Sequence, residues 1–461
     1  MNAVIKKLLQ SYNAVSVNEI DTILEWVDQK NKDLRVSINK NKLSDSNDWF
    51  YDKELGEIRN KRNSFFQIRG IQHFCDGKPV SEQPILIQDE IGYLGIICKE
   101  INGVVHLLMQ AKIEPGNVNK IQISPTIQAT KSNFTQMHGG KKPAYIDYFL
   151  NAGDHTIIFD QIQSEQSSRF LGKRNRNTMI MVEEEVEVLP SHIWMTLGQL
   201  KQLMKIDNLV NMDTRTVISC IPFSVDELNE NDRRELWEVF SDKCLFESFF
   251  AERDSETFKK IFHHTNDYKM LYEGQNKIVP LNDLSSWSFS DNEIVCKNGY
   301  SFKVIFADIE IEGREVTRWT QPLFEAVGMA VFGLITADFD GKTKFLVHAL
   351  HEAGCFDGIE LAPTVQLEAG TKESEYDLIT RFFFEALGNK ENVKNNVILS
   401  EEGGRFYHEQ NRNIVLRVSS DSVPDLSEGY FWVDFRTLNE MVQYNNVLNI
   451  QLRNLLSLLE F

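Results

Sequence analysis

The sequence predicts an α+β protein built from two tandem copies of one domain, and three observations carry that prediction. First, "QAKIEPGNVNKIQISPTIQAT" at residues 110–130 returns in altered form as "HALHEAGCFDGIELAPTVQLE" at residues 348–368. Second, Trp49 and Trp287, Gln83 and Gln321, Gly95 and Gly333, Gly103 and Gly341, and Gln128 and Gln366 are each 238 positions apart. A constant offset over that distance excludes insertion or deletion between the copies and marks an internal duplication. Third, each copy carries β-rich runs joined by a hairpin signal and closes on a stretch of helical period.

The elements follow in order. Residues 1–48 are a polar, helix-prone leader. "YLGIICKEINGVVHLLMQAKIE" holds two strands joined at Asn102-Gly103, and "VFGLITADFDGKTKFLVHALHE" repeats them around Asp340-Gly341. "TMIMVEEEVEVLP" reads as a further strand, and the segment after Thr196 as helix. "SEQSSRF…NRN" (164–170, 175–177) matches "SEEGGRF…NRN" (400–406, 411–413) at offset 236, after which the register returns to 238. The expected units are 1–223, a helical connection at 224–285, and 286–461. Trp237, Phe246, Phe249 and Phe250 make that connection too apolar for a floppy linker.

With 461 residues, 42% of them hydrophobic and 25% charged, the chain has ample material for two cores. A net charge of −18 argues against nucleic acid as the main partner, because phosphate backbones require clustered Lys and Arg. Cysteines 75, 98, 220, 244, 296 and 355 show neither CxxC pairing nor zinc spacing, as befits reduced thiols. No run approaches the ~20 apolar residues of a membrane span. The opening residues lack the apolar core of a secretion signal. A cytoplasmic protein is expected.

In the strand that runs towards Glu114, alternate residues share a face. His106, Leu108, Gln110, Lys112 and Glu114 lie on one side, and Leu107, Met109, Ala111 and Ile113 on the other. The first set becomes more polar towards "EPG", as at the rim of a cleft or along a solvated strand edge. In the second copy Gln110 becomes His348, Lys112 becomes Leu350, and Glu114 persists as Glu352. A duplicated fold with one working pocket and one drifted pocket would show this pattern. His348 and His351 fall on opposite strand faces, which disfavours a metal pair.

Arg169, Asn175 and Arg176 recur as Arg405, Asn411 and Arg412, and the first copy adds Lys173 and Arg174. Arginine's planar fork suits phosphate oxygens; a solvated loop is the alternative. Asn208, Asn211 and Arg215, repeated as Asn446, Asn449 and Arg453, have the spacing of one helical face. They either satisfy buried backbone groups or line a pocket. No P-loop, GxGxxG or HExxH pattern is present. A trace of the Nudix box, G-x5-E-x7-R-E-x-x-E-E-x-G, survives at Glu373, Arg381, Glu385 and Gly388. Leu367, Phe382 and Ala386 break it, and the first copy has Thr135, Pro143, Asp147 and Leu150 at the equivalent places. Such a box could not hold Mg²⁺.

"HLLMQAKIEPGNVNKIQISPTIQATKSNF", "QSEQSSRFLGKRNRN" and "LGQLKQLMKIDNLVNMDTRTVISCIPF" together resemble the NDP-hexose 2,3-dehydratases of deoxysugar biosynthesis, over nearly the whole chain. The resemblance implies two Nudix-like domains per subunit, a homodimer, and neither metal nor cofactor. It implies dTDP-4-keto-6-deoxy-D-glucose as substrate and a downstream 3-ketoreductase as the consumer of product. On this footing Glu114 would be base or proton shuttle, Lys112 the donor to the enolate, and His138 or Tyr145 the acid. Arg169, Arg176 and Arg215 would hold the diphosphate, with Gln110, Gln128, Arg174, Asn175 and Asn211 in the substrate site. Trp49 or Phe134 would stack on thymine. A second, vestigial pocket would comprise His348, Glu352, Arg405, Arg412 and Arg453. Two rivals are a Nudix-type sugar-nucleotide pyrophosphatase and a non-catalytic sugar-nucleotide binder.

Overall fold

A computed structural model describes residues 2–62, 65–131, 142–224, 228–312 and 316–461. Each copy contributes two sheets. In the first copy, Thr156–Ser164, Arg174–Met181, Gly92–Ile101, Val104–Ile113 and His192–Met195 lie side by side in that order. Ile121–Ser124 and Ile127–Ala129 complete this seven-stranded sheet. Gly92–Ile101 pairs antiparallel with Val104–Ile113 but parallel with Arg174–Met181. The second copy repeats the arrangement with Val393–Ser400, Gln410–Val418, Ala330–Phe339, Lys342–Leu350 and Tyr430–Asp434. Both hairpin turns use left-handed residues, Asn102 and Gly103 at φ 53° and 81°, Asp340 and Gly341 at 50° and 79°. That geometry matches strand twist, as the Asn-Gly and Asp-Gly pairs require.

The other two sheets depart from a simple tandem. The leader strand Val36–Asn41 pairs antiparallel with Phe302–Ile311 of the second copy. The equivalent strand before the second copy, Gln275–Val279, pairs with Gln67–Cys75 of the first. Each copy therefore lends its leader strand to the other. The segment 224–285 is accordingly not only helical: after Glu230–Trp237, Lys243–Phe249 and Ser255–Leu271 it ends in this exchanged strand. Its aromatics are core, with Phe249 stacked 3.5 Å from Phe435 and Phe246 fully buried.

Two local expectations need correction. The strand predicted through "TMIMVEEEVEVLP" stops at Met181, because the Glu run cannot sit between sheets; Lys99 instead donates to the carbonyls of Glu183 and Glu184. The helix predicted after Thr196 breaks into Leu197–Leu203 and Met212–Ser219. Asn208 and Asn446 sit in the break with φ 58°, and Asn211 and Asn449 cap the helices that follow. The Asn-Asn-Arg sets are thus not one helical face.

The copies are locked by reciprocal close contacts. Gly116 donates to the Gly403 carbonyl at 2.7 Å, and its counterpart Gly354 donates to Ser167 at 2.9 Å. A Cβ on either glycine would collide with the carbonyl of Phe406 or Phe170. Arg215 donates to the Ser400 carbonyl at 2.9 Å, and Arg453 donates to the Ser164 carbonyl and Thr216 hydroxyl. These two arginines are 1% and 0% exposed and join the copies.

Strand exchange predicts that neither half is stable alone. Fragments 1–224 and 228–461, produced separately, should be aggregated or unfolded by circular dichroism. Produced together, they should co-elute as one complex on size exclusion.

Candidate active site

A cavity of about 1070 Å³ opens on the first copy, and both copies line it. Its floor is the end of Val104–Ile113. Gln110 and Lys112 face the cavity from this strand, and Glu114 follows just past its end. The opposite face of the strand (Leu107, Met109) is buried in the main core, which fixes the register. Glu114 is 6% exposed and accepts from the Gln128 amide at 2.9 Å, while Asn211 donates to the Gln128 oxygen at 3.1 Å. Lys112 lies 3.5 Å from the same Glu114 oxygen and donates to the Gln128 carbonyl at 3.2 Å. The cation and carboxylate are held side by side by a chain of amides.

Six further carboxyls line the cavity, and three of them are strongly perturbed: Glu165, Asp213 and Glu402, the last from the second copy. Burial, reinforced by the neighbouring carboxylates, raises all three above the ordinary carboxylate range. Lys173 also lines the site and is pushed down to about 8 by burial. Trp49, Phe66, Phe170 and, from the second copy, Trp319 provide aromatic wall. Arg405, assigned by sequence to the second pocket, instead enters this one. Its guanidinium lies 4.5 Å over Phe66 and donates to Gln88 at 3.2 Å. Among the described residues it is ion-paired to no carboxylate, and its Nε is buried without a partner.

Arg169 makes the mirror-image crossing. It lies 4.5 Å over Phe302, pairs with Glu368 at 2.7 Å and donates to Ser301 at 3.3 Å. It belongs to the second site, where Glu368 neutralises it; the position equivalent to Glu368 in the first site is Thr130. The amide chain is conserved there, Asn449 to Gln366 at 2.8 Å and Gln366 to Glu352 at 3.0 Å, but Leu350 replaces the lysine. His348 stacks on Tyr430 at 4.2 Å.

Other sequence-derived assignments fare differently. Arg176 forks onto Asp160, with Nε 2.6 Å from Oδ1, and Arg412 onto Asn396 at 2.9 Å, both on an outward strand face. Arg174 lies 3.8 Å over Phe356. None of the three lines the cavity; Arg174 and Arg176 occupy alternate positions of Arg174–Met181 that face away from it. Asn175, between them, does line it and donates to Glu165 at 2.6 Å. Arg215 and Arg453 are interface residues, not diphosphate ligands. The Tyr145 hydroxyl donates to the Glu187 carbonyl at 2.7 Å and accepts from Leu189 at 3.0 Å, so it is engaged outside the cavity. His138, Phe134 and Thr135 lie outside the described residues. In the second copy Phe382 and Ala386 pack into core at the broken box positions, so the residues present do not fit a Mg²⁺ site. Sequence reasoning missed Asp213, Glu165 and Glu402. The available signal was copy divergence: Asp213 faces Gln451 in the repeat alignment, and Glu402 faces Gln166.

This pocket, joined across a duplication, is what the comparisons with known proteins address. The chain belongs to the NDP-hexose 2,3-dehydratase family, whose model matches residues 20–221 and again 258–459. It is 39% identical over 413 residues to the dTDP-4-dehydro-6-deoxy-alpha-D-glucopyranose 2,3-dehydratase of Saccharopolyspora spinosa, covering 89% of this chain and 85% of that one. With the protein of the same description from Streptomyces violaceoruber it shares 36% over 442 residues, 94% and 95% of the two chains. Among solved structures, the Ap4A hydrolase of C. elegans aligns to 26% of this chain and 88% of its own, with 15% identity and a TM-score of 0.17. A score that low supports nothing about the fold. No helix among the described residues is long and apolar enough to cross a membrane.

Buried carboxyls also set a pH dependence of stability. Burial pushes Glu352 and Glu409 up to about 8 and Glu360 up to about 7. The folded form then holds protons that the unfolded chain has already lost, so stability falls as pH rises towards those values. Lys201, pushed down to about 7 by burial, opposes this only above that pH. The melting temperature should drop between about pH 6.5 and pH 8 in scanning calorimetry, above the midpoint at which an ordinary histidine titrates. A flat or rising profile would contradict the burial of these groups.

Proposed function

We propose that this protein is a dTDP-4-keto-6-deoxy-D-glucose 2,3-dehydratase, a hydro-lyase that yields dTDP-3,4-diketo-2,6-dideoxy-D-glucose. The observation that carries the reading is the Lys112–Glu114–Gln128 array on the cavity floor, in a chain of this family. The C3 hydrogen of a 4-keto sugar is acidified by the adjacent carbonyl. Glu114 takes that proton, and the Gln128 amide on one of its oxygens fixes the direction of the other. Lys112, tethered beside it, stabilises the charge that develops on the C4 oxygen. The C2 hydroxyl then leaves as water, and the resulting enol tautomerises to the 3-ketone. The balance requires no external oxidant or reductant. Arg405 and Lys173 are the cations best disposed towards a diphosphate, and Trp49 or Trp319 offers a face for thymine.

The cellular setting is part of the same proposal: a homodimer in the cytoplasm, passing its diketone to a 3-ketoreductase. Six free cysteines support a reducing compartment. Incubation with dTDP-4-keto-6-deoxyglucose should produce a species lighter by one water on mass analysis. Mg²⁺-dependent release of a sugar phosphate would instead establish pyrophosphatase activity.

Two comparisons test the residue roles. Glu114→Gln should lower kcat roughly 10²–10⁴-fold, the usual contribution of a general base, and Glu352→Gln should stay within a few-fold of the parent. The reverse ranking would move the active site to the second copy. Arg405→Ala should raise KM by about ten- to a hundredfold, equivalent to ~1.5–3 kcal/mol for a charge-assisted bond. Arg176→Ala should leave KM unchanged, since its partner is Asp160. If Arg176→Ala alone raises KM, the diphosphate lies on the outer strand face.

A further inference from the structure

We propose that Glu165 and Glu402, one carboxyl from each copy, hold a single proton between them on the cavity wall, and that this proton is delivered to the departing C2 hydroxyl. The inference rests on the dehydratase reading and adds the acid that it lacks.

Both residues line the cavity. Glu165 is 5% exposed; Asn175 donates to one of its oxygens at 2.6 Å, and the other is buried with no hydrogen-bond partner. Glu402 accepts from the Gly404 amide at 2.9 Å. The second site provides an internal control. The counterpart of Glu165 is Glu401, and the counterpart of Glu402 is Gln166, whose amide donates directly to Glu401. An amide and a carboxylate satisfy each other without any added proton. Two carboxyls in that place, Glu165 buried and Glu402 half-buried, repel unless one of them is protonated. The copy with Leu350 in place of the lysine therefore also lacks a carboxyl pair at this position, while the copy with Lys112 has both.

The surroundings favour one retained proton. Glu114, Asp213 and Glu401 are the carboxyls around the pair, against the cations Lys112, Lys173, Arg405 and Arg453. Burial comes first among the causes that raise both members. Glu114 supplies the base, so acid and base are separate groups on different walls of one cavity.

The steps balance. Glu114 takes the C3 proton and the C–H pair becomes the enolate. As the C2–O bond breaks, its electrons leave with oxygen, the carboxyl pair supplies a proton, and water departs. The C3 hydroxyl of the enol returns a proton to the pair while protonated Glu114 gives one to C2. Both sites end as they began, and the sum is loss of one water.

The experiment compares Glu402→Gln with the parent enzyme and with Glu114→Gln. The amide reproduces the Gln166–Glu401 arrangement already present in the fold, so Glu402→Gln is expected to fold. Water loss should fall roughly 10²–10⁴-fold, while exchange of the C3 hydrogen in D₂O continues near the parent rate. The alkaline decline of kcat, where the pair loses its proton, should vanish in this variant. A C2-fluoro analogue needs less help in leaving, so Glu402→Gln should eliminate fluoride close to the parent rate and Glu114→Gln should not. Water loss within a few-fold of the parent, or parallel loss of C3 exchange, would overturn the proposal. A parent enzyme that neither exchanges C3 hydrogen nor releases water would overturn the dehydratase reading itself.

Discussion

The reciprocal insertion of two loops, 165–170 and 401–406, into opposite copies is the constraint on which the rest of the molecule depends. Phe170 and Phe406 meet edge to face at 5.7 Å where the loops cross. Around them Gly116 and Gly354 let backbones approach too closely for any side chain. Arg169 and Arg405 are carried across by this crossing, so each arginine serves the copy that does not encode it. The exchanged leader strands repeat the same logic at the level of whole sheets. An interface this interwoven cannot open without exposing both cores. It gives the cavity walls fixed positions, which is what a site with closely spaced charges needs.

The electrostatics follow from that burial. Seven carboxyls and six cationic side chains line one cavity, a charge density that is costly in a core without ligand chemistry to justify it. Glu165, Asp213 and Glu402 are kept near neutrality by desolvation and by one another. Glu114 differs in having Lys112 and the Gln128 amide beside it. The same carboxyl chemistry therefore meets two electrostatic settings around one cavity.

The equivalent place in the second copy is filled differently. Arg169 is neutralised by Glu368, Gln166 bonds to Glu401, Leu350 replaces the lysine, and His348 stacks against Tyr430. The amide chain through Asn449 and Gln366 survives because it also caps the helix Ile450–Ser457 and ties it to the sheet.

The sequence by itself determined the duplication, the α+β class, both hairpins, the strand face that carries Gln110 and Lys112, and the contrast between Lys112 and Leu350. Each of these follows from local periodicity, turn chemistry or comparison of aligned repeats, which need no knowledge of distance. Only the tertiary structure decided which copy each arginine serves. It sent Arg405 to the first cavity and Arg169 to the second, turned Arg176 and Arg412 outward, and buried Arg215 and Arg453 between the copies. It also brought Asp213, Glu165 and Glu402 to Glu114 from segments far apart in the chain. Alternation along a strand specifies a face, but the partner of that face is set by packing between copies, and local pattern carries no trace of an exchange.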